Sequence, residues 1–176
     1  RHFRRQRQMC IRDRLKNKLT TINPGGVFGD ALDKKGGTSI EYIRQFMKGK
    51  FPGAPKFAVL ISDVKDIAKA HVACIGNNKV GGRRLIVGKD VKRLVELSQL
   101  IAEAMPEYKK KLPTKELPNL MVKLISYIDS SAKTMIPDLG IMMQTDTSDA
   151  AEILGFKFIP AKGCVSEHDR SVVRVG

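Results

Sequence analysis

Apolar positions in this chain fall into short runs and helical stripes, set apart by glycine, proline and charged stretches. Residues 19–23 (LTTIN) are β-branched and lead to Pro-Gly-Gly, which predicts a short strand running into a tight loop. After a Gly- and Lys-rich connection at 30–38, Ser39 is expected to cap a helix over 40–48, with Ile40, Ile43, Phe46 and Met47 on one face. Residues 52–55 read as a turn and the apolar run 57–61 as a strand. Asp63 or a near neighbour starts the next helix, in which Val64, Ile67, Ala68, His71, Val72 and Ile75 recur at helical spacing and are expected to face inward. The Asn and Gly pairs at 77–78 and 81–82 turn the chain into a strand at 84–87. One amphipathic helix is expected over 89–104, with Pro106 ending it.

Beyond it, 120–128 is expected to be a helix packed under a lid or against a neighbouring helix, and 147–154 a short helix with a polar cap. Gly155-Phe156 reads as a turn with an anchoring aromatic, and 164–176 has weak periodicity. There is no internal repeat. The alternation of strand and helix predicts an α/β fold with parallel pairing, incomplete because the strand at 19–23 needs neighbours on both edges.

Charge changes the picture at the amino end. The first 18 residues hold eight of the 32 basic residues and one of the 18 acidic ones, so half of the net charge of +14 sits there. Three readings of that segment compete: a basic arm that grips phosphate backbones, a transit peptide, and a non-biological scar. The segment lacks serine, and residues 4–14 resemble translated sequencing-adapter sequence, so the scar is the preferred reading. The expected division is a non-native basic segment at 1–18 and a body at 19–176. Cys10, Cys74 and Cys164 are too far apart in sequence to suggest a disulfide framework or a C-x-x-C site, which leaves free thiols in a reducing, cytoplasmic setting. No apolar run is long enough to cross a bilayer.

Four stretches carry a resemblance: Asn23-Pro-Gly-Gly-Val-Phe-Gly29; FAVLISDVKDIAKAHVACI at 57–75; Gly82 to Val87 leading into KDVKRLVELSQLIAEAMPEY; and SDAAEILGF at 148–156. Their order and spacing resemble the second half of dihydroflavonol reductases and the wider NAD(P)-dependent epimerase/dehydratase group of extended short-chain dehydrogenases, over residues 19–160. The D-V-x-D-x-A-x-A-H block is the most specific piece. The resemblance implies the carboxy-terminal half of a doubly wound, Rossmann-like parallel sheet with a mostly helical substrate-binding subdomain. It implies NAD or NADP as cofactor of the intact protein and a small carbonyl or alcohol as substrate. Pro24 and Gly25 would lie against the nicotinamide, and Val27, Phe28 and Gly29 would border the substrate pocket. Asp30 stands where relatives commonly have proline.

The chain has no glycine-rich strand–turn–helix fingerprint for a pyrophosphate. It also has no Tyr-x-x-x-Lys: Phe46, Leu112 and Ser131 stand four residues after Tyr42, Tyr108 and Tyr127. No catalytic and no metal-binding residue is therefore assigned, and the isolated chain is expected to be inactive and to bind the cofactor negligibly.

Simpler structural roles are preferred for the other conspicuous residues. His71 is expected to be a packed core histidine, and Asp63 and Asp66 to serve as cap and dipole partners of their helix. The lysines at 109–111 read as a solvated charge run, the methionines in 135–143 as core filling, and Arg83-Arg84 as a loosely held candidate for an anionic substrate. Two other functions compete with the reductase reading: a nucleic-acid module using the basic arm, and a catalytically dead interaction domain that associates through its open sheet edge. Neither a membrane nor nucleic acid is the expected partner.

Overall fold

A computed structural model describes residues 18–29, 38–49, 52–127 and 136–166. The elements in chain order are β1 (Thr21–Pro24), β2 (Gly26–Phe28), α1 (Thr38–Met47), β3 (Ala54–Pro55), β4 (Ala58–Asp63), α2 (Val64–Cys74), β5 (Arg84–Val87) and β6 (Asp90–Arg93). Then come α3 (Leu94–Ala104), a 3-10 turn at Pro106–Tyr108, β7 (Glu116–Leu117), α4 (Asn119–Ile125), a second 3-10 turn at Ile136–Asp138, α5 (Ser148–Leu154) and α6 (Ala161–Ser166). The alternation expected from the sequence is present, and three pairings are parallel: β1 with β5, β2 with β4, and β3 with β7.

Several sequence expectations need correction. The first strand does not run into a tight loop. The chain passes Gly25 and stays extended as β2, because Gly26 to Phe28 find parallel partners in Ile61 to Asp63. The expected helix over 89–104 is two elements. Residues 90–93 pair antiparallel with β4, and the helix begins only at Leu94. Arg93 marks the change: its backbone N–H donates to Glu96 Oε2 at 2.9 Å, tying down a free end of α3. The expected turn at 52–55 includes a two-residue bridge to β7. Helix α1 starts one residue before Ser39, so Ser39 lies inside it; its Ile43, Phe46 and Met47 are buried as expected, while the side chain of Ile40 lies outside the described set.

The largest reversal concerns α2. Asp63 does cap it, accepting the backbone N–H of Lys65 at 2.7 Å. The face it buries, however, carries Asp66 and Ala70, not the apolar stripe. Val72 is 69% exposed and Ile75 82%, and Ala68 and His71 lie on the same outward side. His71 is thus not a packed histidine; its Nδ1 lies 2.8 Å from the Ile67 carbonyl on the surface. Helix α4 likewise buries Val122 but exposes Leu120, Met121 and Leu124, so it is not packed on all sides; Ile128 lies outside the described residues. Ile141, Met142 and Met143 are exposed as well, which overturns their assignment to the core.

Two cores hold the molecule. The larger joins Phe28, Ile43 and Phe46 to Ile61, Leu97, Ile101 and the Cys164 region of α6. The smaller packs Ala70 of α2, Leu85 and Val87 of β5, and Ala150, Leu154 and Phe158 around α5. Helix α5 is led by Asp146, whose carboxylate accepts both the N–H and the hydroxyl of Ser148; Thr147 makes no such bond. Gly155 closes it with φ of 76°, a left-handed conformation at the turn the sequence suggested.

Gly25 connects the parallel pairs. A Cβ built there would lie 2.1 Å from the Leu60 carbonyl oxygen, so no other residue fits without moving β4. Gly25→Ala is therefore expected to lower stability by about 3 kcal/mol or more, the upper range for overpacking. A urea midpoint within experimental error of the wild type would contradict this close approach.

Candidate functional site

The residues that the resemblance assigned to cofactor and substrate all lie where one strand changes partners. Through Pro24 the chain is paired with Val87 of β5, and from Gly26 it is paired with Ile61 of β4. Ser62 spans the change. Its hydroxyl accepts the N–H of Gly25 at 2.9 Å and donates to the Val87 carbonyl at 2.6 Å, and the residue is fully buried. Gly88 meets the same stretch of β4 from the neighbouring side: a Cβ there would lie 2.7 Å from the Ile61 carbonyl. Pro24 is exposed at the exit of β1 and Gly25 is half-buried.

Val27, Phe28 and Gly29 follow on β2 and just after it. Val27 is half-buried. Phe28 is buried in the larger core and also lines a cavity of about 160 Å³, together with Ile43, Phe46, Phe57, Val59 and Leu97. Ser39 is the polar side chain in that lining. Gly29 has φ of 133°, and a Cβ on it would lie 2.4 Å from Val64 Cγ1, so both backbone and space require glycine. The structure thus brings Pro24 and Gly25 to the strand crossing and Phe28 to an apolar cavity one strand-turn away. A second, larger cleft of about 370 Å³ lies elsewhere, between the end of α3 and the Pro106 to Thr114 segment.

The D-V-x-D block does more than begin a helix. Asp66 is buried on the inner face of α2, where its Oδ2 accepts the backbone N–H of Ile159 at 2.6 Å. Asp90 accepts the N–H of Ala161 at 2.8 Å. Two carboxylates from distant parts of the chain therefore pin the segment that enters α6. Burial raises the Asp66 carboxyl above its ordinary value against the opposing pull of the Ile159 N–H, and nearby Asp63 adds to the rise. Cys164, buried beside them, has its thiol pushed up to about 12 by burial and by Asp63 and Asp66. It is a packed, unreactive thiol. Glu96 is held below its usual range, chiefly by the Arg93 N–H.

Sequence reasoning missed Ser62, Asp66 and Asp90 as partners. For Ser62 a signal existed: a hydroxyl at the end of an otherwise apolar run must find hydrogen bonds inside the protein. Arg83, weighed as a contact for an anionic substrate, instead faces Asp149 at 3.4 Å in an exposed pair. The lysines at 109–111 are exposed, with Lys111 lying over the Tyr108 ring. Cys10 and the basic arm through residue 17 lie outside the described residues. Among the described residues no cluster of His, Cys, Asp and Glu suits a metal ion, and no helix is long and apolar enough to cross a membrane.

No family model matches the chain. Among curated proteins it is similar to the NADPH-dependent methylglyoxal reductase of Saccharomyces cerevisiae, 32% identical over 111 residues, which is 58% of this chain and 32% of that protein. It is also similar to cinnamoyl-CoA reductase 1 of rice (Oryza sativa), 26% identical over 91 residues, 52% of this chain and 27% of that one. Among solved structures it matches the yeast methylglyoxal/isovaleraldehyde reductase complexed with NADPH at a TM-score of 0.67 and 22% identity, covering 98% of this chain and 53% of that one. A nucleoside-diphosphate-sugar epimerase from Pseudomonas aeruginosa matches at 0.71 and 16% identity, with 96% and 53% covered. Alfalfa vestitone reductase matches at 0.64 and 17%, with 94% and 47% covered. The chain's curated relatives include proteins named as NADPH-dependent methylglyoxal reductases and others named as oxidoreductases. Its fold is the Rossmann-like α/β fold of the solved structures it matches. The chain spans less than half the length of the first curated relatives it matches.

At Gly25 the described residues offer a dinucleotide no free backbone donor. The N–H of Gly25 is taken by Ser62, and the absence of a Cβ at Gly25 makes room for Leu60, not for a ligand.

The raised Asp66 carboxyl has a pH signature. In the unfolded chain Asp66 titrates at its ordinary 3.8 and in the folded chain higher, so the folded state holds the proton more tightly. The stability it contributes is full below 3.8 and is lost as the pH rises through the folded value. Asp66→Asn keeps an oxygen acceptor for Ile159 and cannot ionise. The stability difference between Asp66→Asn and wild type, measured by urea unfolding, is expected to grow in favour of the variant as the pH rises from 3.8 and to level off above the folded value. A difference that does not change with pH would show that Asp66 is not strained by burial.

Proposed function

We propose that this chain is the substrate-side portion of an NADPH-dependent oxidoreductase that reduces a small carbonyl compound, and that it does not complete a turnover alone. The observation that carries the reading is the strand crossing at Gly25. A parallel strand exit, fixed by Ser62 and Leu60, leads within three residues to the apolar cavity that Phe28 lines. That is the geometry a substrate wall needs: a rigid backbone beside a concave, largely apolar pocket.

In this reading Pro24 and Gly25 border the nicotinamide, and Val27, Phe28 and Gly29 border the substrate. The intact protein takes NAD or NADP, which supplies the hydride. The residues of this chain hold backbone in place and exclude water from the apolar cavity. The yeast reductase found both among the curated relatives and among the solved structures, named for methylglyoxal and isovaleraldehyde, supports a small aldehyde or ketone as the substrate class. Two further features support a portion that needs completion: β1 has a strand partner on one edge only among the described residues, and the apolar side chains Val72 and Ile75 of α2 and its end are bare. Association through that open edge belongs to the same proposal.

The purified chain, incubated with NADPH and either methylglyoxal or isovaleraldehyde, is expected to consume no NADPH above the buffer rate, as followed by absorbance of the reduced nicotinamide. Saturable turnover of either aldehyde would overturn the reading that the proton donor and phosphate cradle lie elsewhere.

A further inference from the structure

Protein cores close on themselves and keep few voids larger than a water molecule. The cavity of about 160 Å³ beside β2 is larger than that. Phe28 and Phe46 are buried in its wall, while Gly26, Ser39, Phe57 and Val59 are half-buried. Three phenyl rings therefore face one space. Ser39 supplies a hydroxyl, and among the described residues no charged side chain belongs to the lining.

This chemistry selects its occupant. A charged or strongly hydrogen-bonding group would give up its water and find one hydroxyl in exchange, which is unfavourable. An apolar group loses nothing on entry. An engineered cavity of about 150 Å³ lined by Leu, Ile and Phe stays dry and binds benzene, so the size is sufficient for a ring. Phenyl walls also receive another ring well, edge to face or offset.

Gly26 controls the room available. A Cβ built there would lie 3.0 Å from Val59 Cγ2 and 3.1 Å from Phe28 Cε2, two atoms of side chains that line the cavity. Any side chain at this position presses on both, and the open space beside them is the cavity itself. Its neighbour Gly25 answers a different demand, since a Cβ on Gly25 would strike the Leu60 backbone. One glycine lets the strand pass β4, and the next leaves the pocket unfilled.

We propose that this cavity binds an apolar group the size of benzene, a phenyl ring or a branched alkyl chain of about six carbons, and that Gly26 sets that size limit. Naming this group as the side chain of the carbonyl substrate rests on the reductase reading; the binding itself does not. Apolar binding needs no cofactor and no turnover. Its failure leaves the reductase reading standing, and aldehyde turnover by the isolated chain would leave the cavity assignment standing.

The test follows thermal unfolding of the full chain with benzene and, separately, with 1,2-propanediol, a small molecule that carries two hydroxyls. The wild type is expected to show a saturable rise in Tm with benzene and none with the diol. Gly26→Ala is expected to raise the half-saturating benzene concentration by about tenfold or more, because its Cβ crowds the pocket wall. Adding Val59→Ala to that variant removes the atom the new Cβ meets and is expected to restore binding. No saturable rise with benzene overturns the proposal, as does an equal rise with the diol. An undiminished benzene response in Gly26→Ala overturns it too, because the benzene then sits elsewhere. If Gly26→Ala does not fold, Val59→Ile adds bulk to the same wall, and an unchanged half-saturation in that variant is equally fatal.

Discussion

The passage of Gly25 beneath the Leu60 carbonyl is the constraint on which the rest of the architecture depends. A strand normally keeps one neighbour along its length. Here the chain leaves β5 at Pro24 and joins β4 at Gly26, and the change takes place at one residue without a Cβ. Ser62 makes the switch stable by giving the freed Gly25 amide an acceptor and the Val87 carbonyl a donor. Without that hydroxyl, two backbone groups would sit unpaired where water does not reach. The candidate cofactor and substrate positions are on either side of this point, so their geometry is inherited from it.

A second constraint acts across the chain. Asp66 and Asp90 hold the Ile159 and Ala161 amides, closing α6 over the larger core. Both carboxylates serve as acceptors in place of a backbone ladder, which is how an irregular segment satisfies its amides without joining a sheet. The arrangement places Cys164 among acidic groups and keeps its thiol protonated, so a cysteine that might invite a redox role is part of the packing. Among the described residues Arg44 departs from this economy, since its Nε and Nη2 are buried without an acceptor, and so does the second oxygen of Asp66, which receives no hydrogen bond.

Local pattern made much of the fold legible. Alternation of strand and helix, Asp63 as a cap, Arg84–Val87 as a strand and a turn at Gly155 were all readable, because each depends on a few neighbouring residues and on backbone propensity. The NPGG and D-V-x-D segments also pointed to the region where the candidate site lies, through resemblance and not through spacing. The residues that fix this region were less visible. Ser62 and Gly88 act through atoms 25 and more residues away, and Asp66 through an amide 93 residues distant. No local window contains such a pairing.

By itself, the sequence determined which segments could be helix or strand, that a turn falls at Gly155, and that neither a pyrophosphate fingerprint nor a Tyr-x-x-x-Lys pair is encoded. Tertiary structure alone decided which side of α2 faces inward. A periodic stripe records that a face is apolar, but the neighbours decide which face is covered, and here they cover Asp66 and Ala70. It also decided that residues 90–93 would be strand, since the edge of β4 offered hydrogen bonds that a longer helix would have left unused. And it decided that the Nε and Nη2 of Arg44 would be buried without an acceptor while those of Arg93 reach Glu96, a distinction that exists only once distant segments are packed.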